Sequence, residues 1–126
     1  MSNEGAPLEF VIFSKKKHRR FEEILAMVTY YHANPQHRLG LGHTLPIGEP
    51  WVKNSICDHI LVSHPYILGP EFEIWKTQKG HGHIFWLLPI TKAERDFKIQ
   101  NGLEELEKNF EDSKLKYWDP HRKSVV

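Results

Sequence analysis

Apolar positions along the chain follow two periods, and each predicts a different element. "LEFVIF" at residues 8–13 is a short, nearly unbroken apolar run and predicts a buried-type strand. Phe21, Ile24, Leu25, Val28 and then Tyr31 or His32 recur at helical spacing, which predicts a helix over about residues 18–33. "ANP" stops it, because the residue before Pro35 is pushed out of the helical region. Tyr30 and Tyr31 widen the apolar stripe and are expected in the core. "RLGLGHTLPIGEPW", residues 38–51, carries three glycines and two prolines and predicts irregular chain with one short extended piece.

Strand signals then return. "HILVS" (59–63) is apolar and β-branched, and Pro65, Gly69 and Pro70 separate it from "EFEIW" (71–75). The polar, glycine-bearing "KTQKGHG" (76–82) predicts a hairpin between "EFEIW" and "HIFWLLPI" (83–90). The latter run is apolar at every position after its histidine, which predicts a strand covered on both faces.

At "FWLLPITKAERDF" (85–97) the chain changes character abruptly. Pro89 cannot donate to a ladder and marks the strand's end or an edge. Thr91 and Glu94 form T-x-x-E, a capping box that predicts a helix beginning near Lys92. Glu94 is therefore read as a cap rather than a catalytic acid. Ala93, Phe97, Leu103, Leu106 and Phe110 trace a stripe, with a break or kink at Asn101–Gly102. The tail "LKYWDPHRKSVV" turns extended, with a further strand expected at 116–118 and a turn at Asp119–Pro120.

Composition narrows the classes. A chain of 126 residues with 40% hydrophobic and 26% charged positions suits one globular domain. Seventeen basic against sixteen acidic residues leave a formal charge of +1, so overall charge makes no case for nucleic acid or an anionic membrane. The single cysteine, Cys57, excludes an internal disulfide and a cysteine-rich zinc site. The first apolar run is too short for a signal peptide, its charges follow rather than precede it, and no stretch approaches the roughly 20 apolar residues of a membrane span. A cytoplasmic location is expected.

Candidate chemistry is sparse. Nine histidines are many for this length. His81 and His83 are spaced to share a strand face, and His43, His59 and His64 could converge on them, but H-x-H without further ligands is a weak metal signal. Cys57-Asp58-His59 sets a thiol near an imidazole, yet Cys57 reads as a small buried apolar residue. Glu71 and Glu73 share a strand face, where paired carboxylates are usually solvated. "GLGHT" lacks the Lys-Ser/Thr of a phosphate loop, and neither G-x-S-x-G nor H-E-x-x-H occurs. The basic run "KKKHRR" (15–20) has no second cluster beside it, so it reads as a solvated turn or helix start and makes nucleic-acid binding a minority reading. Of the four tryptophans, Trp86 is expected in the core, while Trp51 and Trp118 beside turn signals are expected partly exposed. No catalytic, cofactor-binding or metal residue is assigned.

Four segments in order, "GHTLPIGEPW", "ILVSHPYILGPEFEIW", "FWLLPITKAERDFKIQNGLEELEKNFED" and "YWDPHRKSVV", resemble the bacterial suppressor-of-fused-like domain family. The specific part is L-P-I-T-x-x-E, the G-x-x-x-L-x-x-x-F helix after it, and the closing D-P-x-R-x-S-V-V. Residues 8–35 fit more loosely as the preceding strand and helix. The resemblance implies an α+β (mixed α/β) fold, a twisted, mostly antiparallel sheet with two or three helices packed on it. It implies a single domain over residues 1–126 that is either a short version of the family domain or one lacking its N-terminal strands. It also implies a non-catalytic, protein-binding role. The animal relative restrains a zinc-finger transcription factor, and bacterial relatives resemble immunity proteins of toxin systems. The expected partner is a protein, with a toxin domain as the leading candidate, held at a sheet edge that a second copy of the chain could also occupy. Alternatives are a metal-dependent hydrolase using the histidines and a regulatory binding module unrelated to toxins. No cofactor is expected.

Overall fold

The computed structural model describes residues 8–14, 18–64, 74–77 and 80–126. The strands are β1 (Leu8–Val11), β2 (Thr44–Pro46), β3 (Cys57–Ser63), β4 (Ile74–Thr77) and β5 (Gly80–Thr91). The helices are α1 (Arg19–Ala33), α2 (Lys92–Asn101) and α3 (Leu103–Asp112), with a 3₁₀ turn at Pro35–His37. The sheet runs β1-β5-β3-β2, and β4 also pairs with β5. Only β1 runs parallel to its neighbour, and the β2–β3, β3–β5 and β4–β5 pairs are antiparallel. The α+β class and the mostly antiparallel sheet with three helices therefore hold.

β5 is the organising strand, and its apolar run is covered on both faces. Leu87 joins Ile60 and Val62 of β3 against Ile24 and Val28 of α1, with Leu39 and Trp51 from the irregular segment. Trp86, Leu88 and Ile90 join Leu61 of β3 against Leu106 and Phe110 of α3, with Leu115 beyond it. The alternation is the two-residue period of a strand, and β1 obeys it too, sending Phe10 to the first core and Val11 to the second. A bulge between Cys57 and His59 shifts the register of β3, so Cys57 packs with Ile60 and Val62 rather than with Leu61. Each fully buried Leu or Ile is worth about 1.5–3 kcal/mol.

β4 pairs with β5 as the predicted hairpin, with Thr77 opposite Gly80; the two connecting residues lie outside those described. β2 is the short extended piece expected within residues 38–51. α1 begins one residue later than expected because His18 is its cap: the imidazole Nδ1 accepts from the Arg20 amide at 3.0 Å. Gly102, at φ 95°, separates α2 from α3, a conformation that favours glycine.

Several expectations need correction. Tyr30 is 85% exposed and Tyr31 is exposed, stacked on the His37 ring at 4.4 Å. The buried stripe of α1 is only Ile24 and Val28 wide at its centre, with Phe21 and Leu25 beside it, so the tyrosines fall off its edge. Trp51 is fully buried, because its indole N–H reaches the His59 carbonyl at 2.7 Å inside the first core. Ala93 is exposed: the break at Gly102 lets α2 and α3 take separate phases, and the one buried residue of α2 is Glu94. Residues 116–118 form turns, not a strand, closed by the Asp119 amide bonding the Lys116 carbonyl at 3.0 Å.

Candidate binding surface

The junction after β5 is the most polar buried point described. The Thr91 hydroxyl accepts from the Glu94 amide at 3.0 Å, and Glu94 Oε1 accepts from the Thr91 amide at 2.8 Å, completing the predicted capping box. The remaining partners of Glu94 come from the far tail and carry no local sequence signal. Arg122 donates Nη2 to Glu94 Oε1 at 2.7 Å and Nη1 to Oε2 at 2.8 Å. The Val125 amide adds a bond to Oε2 at 3.0 Å. The Glu94 carboxylate thus accepts four hydrogen bonds, which uses its capacity. Arg122 Nη2 also bonds the Pro89 carbonyl at 2.7 Å. Pro89 does not end the strand as expected: it lies inside β5 opposite Ile60, and the pairing with β3 runs on to Thr91. Glu94 is fully buried and Arg122 nearly so. A carboxylate so enclosed has no lone pair left for substrate, and the assembly is a clasp for the tail.

Cys57 is fully buried. Burial, partly offset by the nearby Arg122 charge, pushes its thiol up to about 11, so almost no thiolate exists near neutrality. His59 is held by Asp58 through Nδ1 at 2.8 Å, and His43 Nδ1 accepts from the Gly40 amide at 3.0 Å. His64 lies edge-on to Phe85. Among the described residues no group of three or more His, Cys, Asp or Glu side chains could hold a metal. The side chains of His81 and His83, and all of Glu71 and Glu73, lie outside the described residues. No described helix is long and apolar enough to cross a membrane.

What the fold does present is an edge. β1 and β2 end the sheet path. β2 is three residues long and contains Pro46, which makes a poor template for another strand. β1 pairs with β5 from Leu8↔His83 to Val11↔Trp86, and among the described residues no strand pairs with its outer side.

The family model for suppressor of fused protein (SUFU) matches residues 1–123. A SUFU homolog from Neisseria gonorrhoeae superposes with a TM-score of 0.83 at 36% identity; the match covers 98% of this chain and 66% of that one. The Sufu–Fu complex aligns at a TM-score of 0.69 and 12% identity over 90% of this chain and 48% of its own. Drosophila Suppressor of Fused aligns at 0.68 and 12% identity over 88% and 26%. The last two likenesses speak to fold alone, and this chain spans under two thirds of each of the three. No match was found among curated proteins.

Proposed function

The chain belongs to the suppressor of fused family, a family of protein-interaction domains, and from that premise we propose that it is a non-catalytic binding domain that docks a protein partner as an added strand along β1. The observation that carries this reading is the outer side of β1, without a strand partner among the described residues. Backbone pairing supplies affinity with little demand on side-chain identity. That suits a domain whose buried Glu94 carboxylate is saturated and whose thiol is buried and protonated. A Sufu protein bound to Fu has been crystallised, which is consistent with partner docking on this architecture.

The partner class we favour is a toxin domain, neutralised by occlusion. Growth rescue of cells expressing a toxin encoded beside this gene, on co-expression of this chain, tests that class. Hydrogen exchange tests the docking mode. With the captured partner bound, outward-facing amides of Leu8–Val11 are expected to exchange more slowly. Unchanged exchange there in a stable complex would refute strand addition. Sedimentation without partner separates out the competing outcome, a dimer built on the same edge.

A further inference from the structure

The sheet edge opposite β1 opens into a cleft of about 360 Å³, where the end of α1, the segment after it, β2 and α2 meet. That volume lies toward the lower end of the roughly 300–1,000 Å³ of small-ligand sites. Its charge has one sign. Arg38 and Lys98 line it, His37 and His43 stand with them, and among the described residues no carboxylate does. The positive field reaches the half-buried ring behind the cleft: burial holds the His32 imidazole below its ordinary value, and the Arg38 charge adds to that. Like charges gathered at one place repel, and an anion seated among them relieves the repulsion.

The neutral donors are set by the fold. His43 Nδ1 accepts from the Gly40 amide at 3.0 Å, which in the neutral ring leaves the proton on Nε2 as a donor. The His37 ring is stacked on Tyr31 at 4.4 Å, with 10° between the planes. A backbone donor joins them. The Val62 amide bonds the His43 carbonyl at 2.9 Å, and the Ile47 amide bonds the Asp58 carbonyl at 3.0 Å. Successive residues of an antiparallel strand alternate between facing and not facing the neighbouring strand with their polar groups. Thr44, opposite Leu61, therefore turns its amide outward, and Thr44 lines the cleft. Tyr31, Leu39 and Leu45 supply an apolar wall.

A phosphate group matches this set. It carries about −1.5 to −2 charge near neutrality and three strong acceptor oxygens, enough to engage donors from separate segments. A carboxylate brings one charge and two oxygens. A nucleic-acid strand would call for cations repeated along a track, and here they gather at one point. The space beside a phosphate takes a small organic remainder.

We propose that this cleft binds a phosphate monoester, with its phosphate held by Lys98, Arg38, His43 Nε2 and the Thr44 amide and its organic part against Tyr31 and Leu45. This goes beyond the strand-addition reading and does not depend on it. The same group can arrive on a small molecule or on a phosphorylated side chain of a partner.

The probe is phenyl phosphate, titrated into the isotope-labelled chain and followed by amide NMR shifts. Saturable shifts are expected at Thr44 and across residues 36–39. Lys98→Gln is expected to bind about tenfold more weakly, whereas Lys98→Arg retains binding, with thermal unfolding checked for both. A capped Gly-phosphotyrosine-Gly peptide separates the sources. Tighter binding than phenyl phosphate assigns the group to a partner's side chain, and equal or weaker binding assigns it to a small molecule. No saturable shift around the cleft would overturn the proposal, as would equal affinity of the wild type and Lys98→Gln. Benzoate binding as tightly as phenyl phosphate would also overturn it. Amide exchange at Leu8–Val11 scores the β1 reading separately, so the failure of either leaves the other standing.

Discussion

The two faces of the sheet share β3 and β5 but are closed by opposite means. On the α3 face the apolar core ends in a buried ion pair, with Arg122 and Glu94 holding the tail against Thr91 and Pro89. On the α1 face the connections outside the core are made by half-exposed or exposed groups. His18 caps α1, His32 Nδ1 accepts from the Leu39 amide at 2.9 Å, and Arg20 bridges to Glu49, which is 65% exposed. The first face spends its polar groups on itself. The polar contacts of one face are thus sealed inside the fold, and those of the other lie at its surface.

The largest expected effect is on the clasp. Glu94→Gln keeps the side chain's size but leaves the Arg122 charge buried without its counterion, which is expected to cost about 3–5 kcal/mol. Urea unfolding should show the midpoint falling at constant slope. Tyr30→Ser is the matched control on the other face. With Tyr30 85% exposed, it should stay within about 0.5 kcal/mol of wild type. If the two substitutions proved equal, the difference between the faces would collapse. Replacing Glu94 and Arg122 together with apolar residues of similar size should recover much of the loss.

The clasp also marks how far local patterns reach. Thr91 and Glu94 are three residues apart, so their reciprocal bonds follow from helix geometry and are legible in the sequence. Arg122 lies 28 residues beyond Glu94, and no periodicity links them. Arg122 stands in the closing D-P-x-R-x-S-V-V motif, but nothing in that motif says which buried acid it meets. The burial of β5 on both faces is legible because its run has no polar member from Phe85 to Ile90. Its parallel partner β1 is non-local, and pairing direction leaves no mark on composition. Tyr30 and Trp51 defeat the pattern for related reasons. Aromatic rings suit a core or a rim equally, and what places Trp51 inside is the His59 carbonyl it reaches, a contact made only after folding. The cleft at the end of α1 has no linear signature, because Tyr31, Thr44 and Lys98 come together only in three dimensions.

A smaller effect sharpens the picture of the clasp. Thr91→Ala removes the hydroxyl that accepts from the Glu94 amide and that lies 3.2 Å from the Ser124 hydroxyl. The expected cost is about 1 kcal/mol. Because the Thr91 amide also bonds Glu94 Oε1 at 2.8 Å, the two positions act as one unit. A double-mutant cycle of Thr91→Ala with Glu94→Gln should be non-additive by about 0.5 kcal/mol or more. Simple additivity would mean that the cap and the ion pair are independent devices sharing a residue.

The smallest effect belongs to the α1 face and is set by pH. Burial, with the Arg38 charge adding to it, holds the His32 imidazole below its ordinary 6.5. Its Nδ1 also serves as acceptor for the Leu39 amide, and its ring sits edge-on to Phe10 at 5.4 Å. Protonation would remove the lone pair that the amide needs. The unfolded chain therefore binds the proton more readily than the folded one. Stability is fully present above pH 6.5 and falls as the pH drops from there through the lower native value. Glu107 has the opposite sign. Burial raises its carboxyl above 4.5, so its contribution is present in acid and lost as the pH rises through that raised value. Comparing wild type with His32→Gln, each in a Glu107→Gln background, isolates the histidine. Gln retains an acceptor oxygen but does not titrate. The expected result is a stability difference that is flat above pH 6.5 and shifts steadily in favour of the Gln variant below it. Parallel curves across that window would show that His32 does not link the α1 face to pH.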